Sequence, residues 1–426
     1  MKVLIVGGGL LGLSTAWHLN KHGADISLVE RNDGAGEETS FANGGMLTPS
    51  MSDPWNAPGV LGQLIKWLGR EDAPLLLRPH ALPSLIGWGW TFLRNSSRER
   101  FLANTRKNAV LAGYSVEATR ALRADTDIQY EAAELGTLKV FREPAALRSV
   151  AQLSGTLSDL GLRFTVLDRE GVLAAEPALA PVAGNLIGGI HYGGDESGDA
   201  YLFCQRLQQL CASRGVTFHF DTTVRKFVTE RGRIAAVITN DRQFEADAVV
   251  IAAGSYSAPL LRPLGIRLPV RPAKGYSLTL PLGSWNGPRL PVVDDHLHAA
   301  VTPLGNRIRV AGTAEFAGFD SVINQGRIDN LSRMLKGIYP EFASGLAAGA
   351  GVPWTGFRPM SADGVPLIGA TRIDNLFVNT GHGHLGWTMA VGSGKLLADL
   401  VAGKQPDIAA DPYDPRRFSF TQGRTT

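Results

Sequence analysis

The chain has 426 residues, 44% hydrophobic and 19% charged, which is the balance of a folded globular protein and not of a disordered one. Its length exceeds one ordinary core, so two domains are the default expectation. Net charge is only +3 and the basic residues are scattered, so no phosphate-backbone footprint exists and nucleic acid is excluded as a partner.

Val3-Leu4-Ile5-Val6, after a single Lys2, is a short continuous apolar run with β-branched residues, the signature of a buried parallel strand. Because this first apolar run is itself a motif strand, no cleaved signal peptide is expected. Gly7-Gly8-Gly9-Leu10-Leu11-Gly12 follows at once and matches G-x-G-x-x-G. Leu13 to His22 reads as a helix with Leu13, Ala16, Trp17 and Leu19 on its inward face, and Gly23 stops it. Ile26 to Val29 is a second strand and ends in Glu30. Such a βαβ unit binds a dinucleotide. Gly7 permits the tight turn, Gly9 lets a pyrophosphate reach the backbone, and Gly12 lets helix and strand pack closely. The helix N-terminus favours the phosphates, and Glu30 stands where a carboxylate accepts hydrogen bonds from an adenosine ribose. A glycine-rich turn without ligand is the bland alternative; the strand before, the helix after and the acid at this distance argue against it.

Arg31 to Ser52 then decides between cofactors. A nicotinamide domain continues with another strand–helix unit, whereas this stretch, with Glu38-Thr39-Ser40-Phe41-Ala42-Asn43-Gly44-Gly45-Met46-Leu47 inside it, reads as a polar, Gly-rich loop. A loop of small hydroxyl and amide residues suits FAD, whose ring system lies far from its adenine. Trp55 to Leu93 is bulky, with Trp67, Trp88 and Trp90 amid Leu and Ile. Its prolines and charges rule out a membrane span, and it is read as a patch for peripheral contact with a membrane surface.

Asp199 to Arg214 reads as a helix holding both cysteines, Cys204 and Cys211. Seven helical residues put them roughly 10 Å apart, too far to bridge, which suits a reducing compartment. The strand Val216 to Phe220 follows, then Val224 to Glu230 and Ile234 to Thr239 joined by the turn Arg231-Gly232-Arg233. Ala248 to Gly254 is a buried strand with a small-residue end, so the first domain is discontinuous. Tyr276, before the strand Ser277 to Leu280, either offers a hydroxyl to substrate or is a half-buried sheet aromatic. Asp294, Asp295, His296 and His298 lack metal-site spacing and read as loop or cavity wall. Arg358, among apolar neighbours and fixed by Pro359, is either a buried ion-pair partner or a bidentate receptor for a carboxylate. Leu376 to Asn379 is a strand, Gly381 to Gly386 a second G-x-G-x-x-G, and Trp387 to Val401 a helix. No second ribose-binding acid follows, so this helix N-terminus is expected to face the flavin ring and stabilise charge on its reduction.

These residues resemble the D-amino-acid dehydrogenase group of the FAD-dependent D-amino-acid oxidase superfamily. The best-matched pieces are Val6 to Gly12, Thr39 to Met46, Trp67-Leu68, Lys274 to Thr279, Arg307 to Val310, Thr355 to Gly369 and Asn379 to Met389. The segment Asp294 to Ala300 departs from the group's pattern, as does His384, where the group often carries Thr. The resemblance implies an α/β fold: a discontinuous Rossmann-like FAD-binding domain (1–80, 186–262 and 352–426) with a second α+β substrate domain on a mixed or antiparallel sheet (81–185 and 263–351). It implies noncovalent FAD held by Gly7, Gly9, Leu10, Leu11, Gly12, Glu30 and Arg31, and by Ser40, Asn43, Gly44, Gly45 and Met46 of the loop. Val224, Ala253, Gly254, Gly383, His384, Leu385, Gly386, Trp387 and Thr388 complete that set. Arg358 and Tyr276 are the expected substrate-facing residues. The implied reaction is hydride transfer from the α-carbon of a D-amino acid to flavin N5, giving a 2-oxo acid and ammonia. Electrons then pass to a quinone or another non-oxygen acceptor, from a cytoplasmic enzyme peripheral to the inner membrane face. An oxygen-using oxidase of glycine, sarcosine or a cyclic imino acid such as D-hydroxyproline is the alternative enzyme, and a redox-sensing nucleotide-binding module the alternative class.

Overall fold

The apolar N-terminal run forms the strand Lys2–Val6, buried from Val3 onward. It pairs in parallel with Asp25–Val29 on one side and Ala248–Ile251 on the other. Thr217–His219 and Leu376–Thr380 extend this sheet in parallel, and Leu367–Ala370 closes it as an antiparallel edge. The structure, a computed structural model, describes residues 1–421 apart from 68, 72 and 348. Leu68 of the Trp67-Leu68 piece and the last five residues of segment 352–426 therefore lie outside the described residues.

The first helix is Leu10–Lys21 and starts three residues earlier than its apolar stripe implies, with Gly9 as its cap. Its first eight residues are all buried because helices Ala390–Val401 and Ala200–Ser213 cover it together with the sheet. A stripe was a poor guide to a helix buried on every side. Gly12 has no room for a side chain: a Cβ there would lie 1.9 Å from the Gly7 carbonyl oxygen. The helix Ala200–Ser213 is capped by Asp199 and carries Cys204 and Cys211, both buried and free. Strands Val224–Glu230 and Arg233–Thr239 form the expected hairpin, with Gln243–Phe244 as a third strand.

The second sheet is mixed and nine-stranded. Its longest strand, Val270–Pro281, is antiparallel to both Arg307–Phe316 and Val352–Ser361. Val270–Pro281 and Arg307–Phe316 are largely buried, because the helix Gln325–Ile338 packs on one side and the main cavity lies on the other. Leu75–Leu77, Gly188–Tyr192 and Val352–Ser361 also belong to this sheet. Each of these three strands, which the expected division at 80, 186 and 352 groups with the FAD-binding segments, completes a ladder of the mixed sheet and not of the parallel one. Sequence alone separated the glycine motifs from the rest but could not show which sheet a short strand joins.

Candidate active site

One cavity of about 830 Å³ runs from the glycine turn to the mixed sheet, at the large end of the range for cofactor and ligand sites. At its nucleotide end Gly7, Gly9, Leu10 and Leu11 meet Val29, Glu30 and Arg31, with Thr222 to Val224 and Ala252 to Gly254 opposite. No side chain caps the helix at Gly9, although Ser40 Oγ accepts a bond from the Leu10 N–H at 3.3 Å. Glu30 is buried, and its carboxylate accepts the Gly8 N–H at 2.7 Å and the Asn32 N–H at 3.0 Å. Burial raises its pKa, while those two bonds oppose the rise. Arg31 is gripped by Glu38 and lies 3.9 Å from the centre of the Tyr256 ring.

The loop after Arg31 is held by the second sheet. Ser277 Oγ donates to the Ala42 carbonyl and Thr302 Oγ1 to that of Gly44, both at 2.7 Å. Arg309 Nη1 donates to the Asn43 carbonyl at 3.2 Å, and Asn43 Oδ1 accepts the Gly45 N–H at 3.0 Å. Ser40, Asn43, Gly44 and Met46 thereby line the cavity.

Gly383, His384, Gly386 and Trp387 form another wall. The regular helix here is Ala390–Val401, three residues later than Trp387, and Gly383–Leu385 is a single 3-10 turn. The Leu385, Met389 and Ala390 N–H groups are taken by the His382, Leu385 and Trp387 carbonyls. The cavity-lining Gly383, His384, Gly386 and Trp387 thus sit in a tight turn that precedes the regular helix. Four expected cofactor residues do not reach the cavity. Gly12 packs on Gly7, Gly45 packs on Thr302 and Leu304, Leu385 sits in the core, and Thr388 Oγ1 accepts the Thr48 N–H at 2.9 Å.

At the far end stands Arg358, on the strand Val352–Ser361. It makes no ion pair or hydrogen bond with any described residue, and its Nη1 is buried without a partner. Burial alone lowers its pKa to about 10. Its guanidinium carbon lies 5.7 Å from the Trp55 ring centre. The guanidinium fills the space over Gly275, where a Cβ would lie 2.2 Å from Nη1. Among the described residues this arginine therefore has no ion-pair partner. The Tyr276 ring lines the cavity, but its hydroxyl donates to Glu315 Oε1 at 2.5 Å, against the expectation of a substrate contact. Burial raises the Glu315 pKa, yet Tyr276 and Arg78 at 2.8 Å outweigh it and hold the carboxyl below its usual range.

The sequence reading missed Asp53, Trp55, Trp67, Tyr256, Thr313 and His382, all in the cavity wall. Trp55 and Trp67 were grouped with Trp90, yet they turn inward, whereas Trp90 is 72% exposed. Asp294 pairs with Arg142 at 2.7 Å and Asp295 with Lys139 at 2.8 Å, and His298 reaches the cavity as a wall.

The polar atoms left over fit a bound flavin dinucleotide together with an anionic substrate. Four cavity-lining residues carry buried polar atoms without partners: Thr313 Oγ1, Arg358 Nη1, His382 Nδ1 and Trp387 Nε1. Native interiors rarely leave such atoms unpaired unless something binds there. His382 is kept neutral by burial, with a pKa near about 3, and shares a 2.8 Å bond with Ser393.

Residues 2–400 match the DAO family, described as FAD dependent oxidoreductase. A D-amino acid dehydrogenase of Methylobacterium nodulans is 46% identical over 98% of this chain and 99% of its own. Among solved structures, glycine oxidase from Geobacillus kaustophilus superposes with a TM-score of 0.74 at 23% identity, over 100% of this chain and 98% of that one. L-proline dehydrogenase from P. horikoshii gives 0.78 at 17% identity, over 99% of each chain. Fold, cavity and sequence thus agree, and the chain belongs to the DAO family of FAD-dependent oxidoreductases.

Proposed function

We propose that this enzyme oxidises a D-amino acid at its α-carbon, giving an imine that hydrolyses to a 2-oxo acid and ammonia. The observation that carries this reading is Arg358, an unpaired guanidinium at the end of the cavity away from the glycine turn. A buried cation without a counter-ion costs stability unless an anion binds to it. A carboxylate satisfies it with two parallel bonds and fixes the α-carbon's position as it does so. Relatives named D-amino acid dehydrogenase, at 46% and 47% identity over 98% of the chain, support the D-configuration in the proposal. FAD, bound noncovalently, supplies the hydride acceptor. Gly7, Gly9, Glu30, Arg31, Ser40, Asn43 and Trp387 would hold it, and neither cysteine lines the cavity. The chain itself contributes positioning: Arg358 orients the substrate, and Trp55 and the Tyr276 ring exclude water around it. No general base is assigned.

A quinone is the proposed acceptor, reached at a membrane surface. Support comes from Leu82, Ile86 and Trp90, which form one outward stripe on the helix Leu82–Arg94, and from exposed Leu61 and Ile65 on Val60–Trp67. Arg94, Arg98 and Arg100 follow this stripe, as an anionic bilayer would require. No described helix is long and apolar enough to cross a membrane. Co-sedimentation with anionic vesicles should be lost in Ile86→Glu/Trp90→Glu, and equal sedimentation would refute the contact.

Anaerobic titration of the yellow protein with D- and L-amino acids tests the main reading. Bleaching by D-amino acids alone is expected. Reduction only by L-amino acids, or by none, would overturn it, and an oxygen electrode identifies an oxidase directly.

A further inference from the structure

Arg358 alone cannot distinguish an amino acid from a simple carboxylic acid. The same Trp55 ring that faces Arg358 at 5.7 Å is stacked by His384, with ring centres 5.8 Å apart and planes inclined by 19°. The Met51 carbonyl oxygen lies 3.1 Å from His384 Nε2. A carbonyl oxygen only accepts, so Nε2 carries the hydrogen, and in the neutral imidazole Nδ1 is then a bare acceptor. Nδ1 bonds no described residue, yet it is not among the polar atoms shut away without a partner. His384 is half-buried and lines the cavity, with Nδ1 left open. Asp53 lines the same cavity and makes no ion pair with any described residue.

We propose that His384 is the amine-binding group of this cavity, its Nδ1 accepting a hydrogen bond from the α-ammonium of an amino acid whose carboxylate Arg358 holds. The assignment rests on the reading of Arg358 as carboxylate anchor. Asp53 adds a field favourable to the ammonium. Burial lowers the imidazole's pKa and Arg358 lowers it further, while Asp53 and the Met51 carbonyl oppose them. The net direction keeps the ring neutral, and so an acceptor, at pH 7. The cavity is therefore a two-point reader of zwitterions, with Trp55 setting the spacing between its poles.

The test uses the holoenzyme and two ligands that cannot be oxidised. 2-Aminoisobutyrate carries an amine and a carboxylate but no α-hydrogen, and pivalate replaces that amine with a methyl group. Their Kd values are read from perturbation of the flavin spectrum. His384→Gln keeps an N–H for Met51 and removes the titrating acceptor. It should weaken 2-aminoisobutyrate by roughly ten- to a hundredfold, as for a hydrogen bond to a charged group, with pivalate changed less than about threefold. His384→Phe, which keeps a ring on Trp55, should behave the same way and guards against loss through unpacking. In the wild type, 2-aminoisobutyrate, whose carboxylate stays ionised throughout, should weaken as pH falls and the imidazole protonates; both variants should lack that dependence. Equal weakening of both ligands would make His384 a packing residue only and overturn the proposal. So would an amine preference that survives His384→Gln but disappears in Asp53→Asn. A wild type that binds pivalate through Arg358 without preferring the amine refutes His384 alone, whereas pivalate binding unaffected by Arg358→Ala refutes the anchor as well.

Discussion

Arg358→Ala separates an anion receptor from a structural residue. In the folded protein burial alone lowers the guanidinium's pKa to about 10, well below its ordinary value. A shift of that size corresponds to about 3 kcal/mol by which folding disfavours the charged form. The folded pKa of this base is depressed, so the penalty applies at every pH below about 10 and fades as pH rises through the folded and then the unfolded value. No ion pair is lost on truncation, because none is made by described residues. Arg358→Ala should therefore keep bound FAD and melt no lower than wild type, and is expected to melt a few degrees higher. Losing one partner of a buried, hydrogen-bonded charge pair with the substrate costs about 2–5 kcal/mol, or about thirtyfold to several thousandfold in kcat/KM. Arg358→Lys keeps the charge without the fork and should fall between the two. Anaerobic stopped-flow reduction across a range of D-amino acid concentrations, beside thermal melts with and without pivalate, reads all of this. Pivalate should raise the melting temperature of wild type and not of Arg358→Ala, since only a ligand that binds the folded state stabilises it. Normal reduction at ordinary substrate concentrations in Arg358→Ala, or a lower melting point with loss of flavin, would refute the reasoning.

Gly275→Ala should reproduce much of this defect without touching the arginine, since the new Cβ would lie 2.2 Å from Nη1 and displace the fork. A loss of about tenfold or more in kcat/KM with FAD retained is expected, and wild-type titration would show that the guanidinium's position is unimportant. Glu30→Ala should weaken FAD by roughly ten- to a hundredfold through loss of a charge-assisted ribose bond and of the Gly8 and Asn32 anchors. Equilibrium dialysis checks it, and flavin-saturated turnover should be nearly intact. Asp195 is fully buried, and burial pushes its pKa up to about 7 against donors from Ser50 and Thr137. Its raised folded value means that the stabilising proton is lost as pH rises from about 4 to 7. Urea melts should show wild-type stability falling across that window and Asp195→Asn flattening the fall.

The nucleotide half was legible because its chemistry is local. Strand, turn, helix and acid fit within residues 2–30, and each residue type there answers to one constraint of a tight turn or a phosphate. The substrate half was legible only where a residue violated the ordinary pattern. Arg358 stood out as a charge among apolar neighbours, although whether it had an ion-pair partner depended on strands far away in sequence. Tyr276 offered no such violation, and the acid that takes its hydroxyl, Glu315, lies 39 residues away across a strand pair. The tryptophans of residues 55–93 misled because composition has no direction. Trp90 follows Leu82 and Ile86 at i, i+4 spacing and faces out, whereas Trp55 sits on no helix and its orientation is set by His384 and Arg358.

The loop between the two halves explains why one cavity results. Thr39 Oγ1 donates to the Phe357 carbonyl at 2.9 Å, one residue before the anchor, and Ser255 Oγ donates to the same carbonyl at 3.0 Å. Ser277, Thr302 and Arg309 grip the carbonyls of residues 42–44 from the mixed sheet. A cofactor seated along this loop is thereby referenced to the same backbone that places Arg358. Misplacement of reacting atoms by even about 1 Å costs on the order of a hundredfold in rate. If Arg358 anchors the substrate as proposed, tying the cofactor loop directly to its strand removes the hinge through which such an error would enter, and these side-chain-to-carbonyl bonds would then matter to catalysis beside the groups that touch substrate.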